Sequence, residues 1–305
     1  MHYRSISDMN DTIVSNLHRL PRDIDLVVGV PRSGVLAGTL VSLAANIPMT
    51  DLDSFLEGRV YTSGITKRRA ALDRKVADMR KVLVIDDSIA GGNAMRDARA
   101  RIEAAGIEGD FIYAAVFGLE PKHPETDLVF EVVRHPRMFQ WNFMHHKFLA
   151  QCCVDIDGVL CLDPTEAEND DGPAYEKFLS EARPLHAPTH RIGWLVTSRL
   201  EKYRALTEAW LAKNGILYDQ LIMLDLPSKA ERQRLGAHGS FKADFYRKSN
   251  AILFIESEHA QALKITELSG KPVLCVETHI VSFPDTLSLP ALGQAARNLP
   301  ARLRQ

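Results

Sequence analysis

The chain has 305 residues, of which 46% are hydrophobic and 25% are charged, and its formal net charge is -2. This length is typical of two domains, and this composition excludes an extensively disordered protein. The near-neutral charge gives no overall basic field for a nucleic acid or an anionic membrane surface, so we expect any anion binding to be local.

The N-terminal sequence MHYRSISDMNDTIVSNLHRL has polar residues where a signal peptide needs an uninterrupted apolar core. No later apolar run reaches the length of a membrane span, so we expect a cytoplasmic protein without one. The cysteines have no paired CxxC spacing, which favours reduced thiols within the cores. These cysteines are Cys152, Cys153, Cys161 and Cys275.

Short apolar runs recur along the chain, with helical patterns between them. This alternation predicts an α/β fold in which each domain has a mainly parallel sheet flanked by helices. A helix carries Met9, Ile13 and Leu17, a second covers residues 93–105 before Gly106, and a short one covers 174–181. The predicted strands are residues 26–30, 82–85, 112–117, 152–156, 192–196, 221–224, 252–255 and 273–276.

A segment rich in Pro, His and aromatic residues, including HPRMFQWNFMHHKF, lies between the third and fourth predicted strands. It contains no Gly/Ser linker, so we predict a packed junction near Leu149 between domains of residues 1–149 and 150–305. Trp141 and Phe143 in this segment either cover an acceptor site or pack at the junction.

The run VLVIDDSIAGGNAM predicts a strand that ends in Asp86 and Asp87 and opens through Gly91 and Gly92 into a helix. A helix N-terminus after such a turn presents backbone N–H groups and a positive dipole end to an anion. The two carboxylates can accept hydrogen bonds from vicinal hydroxyls, so a sugar phosphate suits the whole loop. A solvated strand end or a bare magnesium site is the alternative.

A second strand, turn and helix occur earlier, in LVVGVPRSGVLAG. Gly29 and Gly34 permit close approach of the backbone, and Arg32 adds a charged donor. The two loops in this order resemble those of type I phosphoribosyltransferases, which bind 5-phosphoribosyl-1-pyrophosphate (PRPP).

The resemblance implies that Asp86 and Asp87 hold the ribose hydroxyls of PRPP, and that an acceptor displaces its pyrophosphate. Hydroxyl residues common in that family's phosphate loop are replaced here by Gly91 and by Asn93 or Ala94. The 5-phosphate would be bound by Ser88, Ile89, Ala90, Gly91, Gly92 and Asn93, and the pyrophosphate, with magnesium, by Pro31, Arg32, Ser33 and Gly34. A closing loop would contribute Lys67, Arg68 and Arg69, for which a solvated charge run is the alternative.

In the second half, QCCVDIDGVLC is an apolar strand that runs into Asp155 and Asp157. Open α/β sheets place their active sites at this end of a strand. The pattern resembles haloacid dehalogenase-like phosphatases, because Thr197 in WLVTSR, Lys242 in GSFKADFY, and Glu256 with Glu258 in AILFIESE follow in order.

By this resemblance Asp155 is the nucleophile and Asp157 the general acid and then base. Thr197 and Lys242 would contact the phosphoryl group, and Asp155, Asp157 and Glu256 would hold Mg²⁺. Lys229 in PSKAER is an alternative to Lys242, and Glu258 to Glu256. The short interval between Asp157 and Thr197 leaves no room for a large cap over the site, which suits a phosphate carried on a large molecule.

The two halves together resemble bifunctional ribofuranosyltransferases of bacterial polysaccharide synthesis. The resemblance implies transfer of 5-phosphoribosyl from PRPP to a lipid-linked glycan acceptor, followed by removal of the 5-phosphate to leave ribofuranose. A nucleobase phosphoribosyltransferase with a nucleotide phosphatase, and a PRPP-sensing regulator, are the alternatives. No nucleic-acid partner is expected, because no basic stripe is present.

Overall fold

The computed structural model describes residues 1–61, 76–169, 171–234 and 237–287. The chain forms two compact units, one of residues 2–137 and one that begins at Met138. The division lies within the Pro-, His- and aromatic-rich segment, on the N-terminal side of position 149. Each unit has its own mainly parallel sheet with helices, as the sequence predicts.

The first unit contains a five-stranded parallel sheet in the order β3-β2-β4-β5-β6. The central strand β4 pairs Ile85 with Gly29 of β2 and Asp86 with Ala115 of β5. Since these strands run parallel, their carboxyl ends meet at one edge of the sheet. The strands are β2 Leu26–Gly29, β3 Met49–Asp51, β4 Lys81–Ser88, β5 Asp110–Gly118 and β6 Leu128–Val132. A short strand, β1 His2–Arg4, begins the first unit, and β7 Arg137–Phe139 lies where the chain passes from the first unit to the second.

Four α-helices are described in the first unit: α1 Ile6–Asn16, α2 Ser33–Ala45, α3 Leu52–Leu56 and α4 Asn93–Ala104. Helix α4 inserts three side chains into the core formed by β2, β4 and β5. This packing fixes the start of the helix at the carboxyl edge of the sheet. The shared core includes Leu26, Val28, Val82, Val84, Met95, Ala98, Ile102, Tyr113 and Ala115.

The second unit contains a six-stranded sheet in the order β10-β9-β8-β11-β12-β13. All its neighbouring pairs are parallel except β12 and β13. Strand β8 lies between β9 and β11, so the residue that follows β8 is flanked by the carboxyl ends of both neighbouring strands. The strands are β8 Cys152–Val154, β9 Ile192–Leu200, β10 Tyr218–Leu224, β11 Leu253–Glu256, β12 Val273–Cys275 and β13 Ile280–Ser282.

The described helices of the second unit are α5 Pro173–Glu181, α6 Arg204–Lys213, α7 Lys229–Arg234, α8 Ala237–Lys248, α9 His259–Ser269 and α10 Pro284–Leu287. Between β8 and β9 the described residues form one α-helix, α5, where the sequence predicts a short one. Phe143 is buried in this unit, and its ring packs edge-on against His186 with centroids 5.3 Å apart.

All eight strands and the three helices predicted from the sequence are present. The four cysteines are free and buried, which agrees with the expectation of core thiols. Within the described ranges, no helix is both long and apolar enough to cross a bilayer.

Candidate functional site

The loops that follow β2 and β4 meet at the carboxyl edge of the first sheet. A Cβ atom built on Gly34 would lie 2.7 Å from the carbonyl oxygen of Ile85 and 2.9 Å from Oδ1 of Asp86. Only glycine therefore allows α2 to begin directly beside the acidic strand end. Pro31 and Arg32, which are joined by a cis peptide bond, are exposed next to this contact.

The adjacent carboxylates Asp86 and Asp87 lie at the end of β4, where Asp86 is half-buried and Asp87 is buried. Asp87 is buried, and its backbone N–H donates to Oδ1 of Asp86 at 2.8 Å. Burial, followed by repulsion from Asp87, raises the pKa of Asp86 to about 8. The pair therefore carries less than its full double charge near neutral pH, and donors from a polyhydroxyl ligand would favour its ionisation.

We expect Asp86→Asn to alter how the stability of the protein depends on pH. The pKa of Asp86 is higher in the folded than in the unfolded state, so the folded protein loses stability as the pH rises from about 4 to about 8. The asparagine variant lacks this loss. Relative to the parent, it should gain about 4 kcal/mol between pH 5 and pH 9 in denaturant unfolding. Parallel pH profiles for the two proteins would contradict the assignment.

The turn between β4 and α4 presents backbone rather than side-chain groups. Ile89 is buried and its N–H donates to the carbonyl of Phe117 at 2.8 Å, whereas Ala90 and Gly91 are exposed. Gly92 has φ +73°, and a Cβ atom there would lie 2.5 Å from Cε1 of His123. The exposed turn at the start of α4 is suited to binding a phosphate group through main-chain N–H groups.

Asn93 is exposed at the first position of α4. Its Oδ1 accepts a hydrogen bond from Arg96 at 3.1 Å, and Arg96 also pairs with Glu125 at 2.7 Å. Lys67 and Arg68, together with Arg69, lie outside the described residues, so their contribution to pyrophosphate binding stays a prediction.

In the second unit, one buried ammonium group joins two carboxylates at the carboxyl edge of the sheet. Nζ of Lys242, on α8, lies 2.6 Å from Oδ2 of Asp155 and 2.9 Å from Oε2 of Glu256. Asp155 directly follows β8, and Glu256 ends β11. Thr197 is fully buried in the neighbouring strand β9. The structure thus places these four predicted residues on the three central strands and on α8.

The alternatives left open by the sequence occupy different places. Oε2 of Glu258 accepts a hydrogen bond from Nε2 of Gln261 at 2.7 Å, in the first turn of α9, and the residue is exposed. Glu256 is the acid that shares a partner with Asp155. Lys229 begins α7, and its side chain lies outside what the structure describes.

One ammonium group serves two buried carboxyl groups, so full ionisation of both would leave the cluster with a surplus negative charge. Burial raises the pKa of Asp155, and Lys242 opposes that effect while Glu256 adds to it. Carboxylate oxygens are the donors that Mg²⁺ prefers, and a divalent cation would balance the surplus charge, so Asp155 and Glu256 fit such an ion chemically. Within the described part of the chain, no group of three His, Cys, Asp or Glu side chains is arranged around a common metal position.

Asp157 is held by a buried arginine. Nη2 of Arg199 lies 2.6 Å from Oδ1 of Asp157, and its Nε donates to Oδ2 at 3.0 Å. The Arg199 side chain is 0% exposed and that of Asp157 is 18% exposed. Burial raises the pKa of Asp157, but the charge and hydrogen bonds of Arg199 outweigh burial and lower it. In this arrangement Asp157 is a paired carboxylate with one edge open to solvent.

No motif in the sequence assigns a role to Arg199. The available signal was an arginine three residues beyond the predicted strand 192–196, in the run IGWLVTSRL, and the structure extends that strand to Leu200. Arginine is rarely fully buried unless it is paired, so a buried position there requires a carboxylate partner. The partner is 42 residues away, and no local pattern identifies it as Asp157.

No family model matches the chain. A curated relative, the transcriptional regulator GfcR of Methanococcoides burtonii, is 24% identical over 98 residues, which are 32% of this chain and 46% of the relative. The chain therefore spans less than half the length of that protein. Among solved structures, the xanthine-guanine-hypoxanthine phosphoribosyltransferase of Helicobacter pylori aligns with 46% of this chain and 92% of its own, at 15% identity and a TM-score of 0.33. A purine phosphoribosyltransferase from Pyrococcus horikoshii aligns over the same shares at 17% identity and a TM-score of 0.31.

Proposed function

We propose that the first unit transfers 5-phosphoribosyl from PRPP to an acceptor. The observation that carries this proposal is the meeting of two anion-binding loops at Gly34, with Asp86 and Asp87 at the point of contact. A ligand with an anion at each end and hydroxyl groups between them suits this arrangement, and PRPP has that constitution.

In the proposed reaction each part of PRPP has its own partners. Asp86 and Asp87 accept hydrogen bonds from the ribose hydroxyls, and the turn of residues 88–93 donates main-chain N–H groups to the 5-phosphate. Arg32 and the start of α2 receive the pyrophosphate. The acceptor then attacks the anomeric carbon, and the bond to pyrophosphate breaks while cationic groups stabilise the charge on the leaving group.

We propose that the second unit is a phosphomonoesterase of the haloacid dehalogenase type. Asp155 attacks phosphorus, Asp157 as general acid gives its proton to the departing alcohol, and water then hydrolyses the aspartyl phosphate. Lys242 screens the charge between the two anions, and Thr197 donates to a phosphoryl oxygen. Once it has given up this proton, Asp157 acts as the base that takes a proton from water, and its hydrogen bonds to Arg199 hold the carboxylate in place. When bound, Mg²⁺ would add positive charge at the phosphoryl group, with Asp155 and Glu256 as its ligands.

Sequential action connects the two reactions: phosphoribosyl is placed on a glycan acceptor, and its 5-phosphate is then removed. Between β8 and β9 the described residues contain one α-helix, α5, so this interval offers little structure that could cover the second site. An uncovered site supports a large substrate. The resulting product would carry ribofuranose.

A second candidate function is PRPP sensing without turnover. The similarity to a curated protein named as a transcriptional regulator favours it for the aligned 98 residues. The buried cluster of Asp155, Lys242 and Glu256 in the second unit favours the enzyme instead, because a sensor has no need of a nucleophilic carboxylate.

The test is an assay of the purified protein with PRPP and Mg²⁺, in which release of pyrophosphate and of inorganic phosphate is followed separately. Lipid-linked glycans, purines and pyrimidines are offered in parallel. With a glycan as the acceptor, we expect release of pyrophosphate followed by release of inorganic phosphate. We expect neither product with purines or pyrimidines. Turnover with a nucleobase would support salvage, and tight PRPP binding without turnover on any acceptor would support the sensor.

A further inference from the structure

Arg137 is a buried cation behind the candidate phosphate loop. It is 6% exposed, and it stands at the start of β7, in the Pro-, His- and aromatic-rich segment and outside both anion-binding loops. Its Nη2 donates to the carbonyl of Ile89 at 3.0 Å, and its Nη1 donates to the carbonyl of Val133 at 3.3 Å. Arg137 therefore connects the last strands of the first unit to the turn between β4 and α4.

The bond to Ile89 sets the direction of the next backbone donor. The peptide bond after Ile89 is trans, so its carbonyl and the N–H of Ala90 point in opposite directions. The carbonyl is directed inward to Arg137, and the N–H of Ile89 is bound to Phe117. The N–H of Ala90 therefore faces away from Arg137, on an exposed residue at the open side of the turn.

Arg137 also acts on the acidic strand end. Burial lowers the pKa of the Arg137 guanidinium, and the charge of Asp87 opposes this shift. The guanidinium of Arg137 is therefore near enough to the buried Asp87 for the two side chains to interact electrostatically. The same cation is linked to both parts of the loop, the carboxylate proposed for ribose and the turn proposed for the 5-phosphate.

We propose that Arg137 is a positioning residue for the 5-phosphate of PRPP. It orients the Ala90 N–H toward the phosphate by holding the Ile89 carbonyl from behind. This inference rests on the proposed phosphoribosyl transfer, and it assigns a role to a side chain that does not touch the ligand.

The test uses the full-length protein and compares two ligands that represent the two ends of PRPP. Binding of ribose 5-phosphate and of pyrophosphate is measured by calorimetry for Arg137→Met, Arg137→Lys and Arg134→Met. Arg134 is an exposed arginine three positions earlier and serves as the matched control. We expect Arg137→Met to weaken ribose 5-phosphate about tenfold or more, with pyrophosphate changed less than about twofold. Arg137→Lys should fall between, and Arg134→Met should match the parent.

Equal losses for both ligands in a folded Arg137→Met protein would mean a general structural role and would overturn the proposal, as would unchanged ribose 5-phosphate binding. If Arg137→Met does not fold, Arg137→Lys decides by the same comparison, because it retains the charge but not the fixed donor geometry. A parent protein that binds neither ligand overturns the proposed function itself, and this role with it.

Discussion

Asp155→Asn is expected to stop the release of inorganic phosphate while PRPP consumption and pyrophosphate release continue near the parent rate. The amide retains the shape of the side chain but cannot form the aspartyl phosphate, so hydrolysis should fall by at least about a thousandfold. Lys242 keeps Glu256 as a partner in this variant, so the buried cation is not left unpaired. Mass spectrometry of the acceptor should show a product that retains its 5-phosphate.

The matched control is Asp219→Asn, which changes an exposed aspartate of the same unit at the surface of β10. It should release phosphate like the parent. A dephosphorylated product from Asp155→Asn would refute this assignment of the nucleophile. If neither the parent nor the variant modifies a glycan, the assays with nucleobases become decisive.

The second large effect concerns the acidic pair of the first unit. We expect the double variant Asp86→Asn, Asp87→Asn to lose PRPP-dependent release of pyrophosphate. Two charge-assisted hydrogen bonds to ribose are weakened, which lowers the affinity for PRPP by roughly 10²- to 10⁴-fold. Hydrolysis of a simple phosphate monoester should be unchanged, because the second unit has its own sheet and its own charged cluster.

Asp110→Asn is the control for this experiment. Asp110 is an exposed aspartate that begins β5, so it lies at the edge of the sheet opposite the carboxyl ends of the strands. It should leave PRPP turnover intact. Loss of both activities in the folded double variant would contradict the independence of the two units.

The strands that the sequence predicts correctly share one property: each is a continuous apolar run long enough to stand out from its surroundings. Strand β4 is an example, with four apolar residues before its carboxylates. The strands it misses are short or lie at sheet edges, such as β3 Met49–Asp51 and β13 Ile280–Ser282. Both of these short strands include polar residues, MTD in β3 and IVS in β13, so they carry too little apolar pattern to separate a strand from a loop.

The residues of the candidate sites also differ in how clearly the sequence shows them. Asp86 with Asp87 and Asp155 with Asp157 are contiguous motifs at strand ends, which the sequence can show directly. Arg137 has its partner 48 residues away, at Ile89, and that partner is a backbone carbonyl with no residue signature. Such a contact exists only in the folded chain, so the sequence does not reveal it and the structure does.

The two glycines of the turn before α4 differ in which mutations they can accept. A Cβ atom at Gly91 meets nothing within 4 Å, whereas one at Gly92 would overlap His123 and would need a left-handed backbone. A hydroxyl side chain can therefore enter at position 91 without rebuilding the surrounding turn, and it would add a second hydroxyl donor to that of Ser88. Under selection for tighter phosphate binding, position 91 is the accessible mutational step, whereas position 92 stays unfavourable even after His123 has changed, because its φ is +73°.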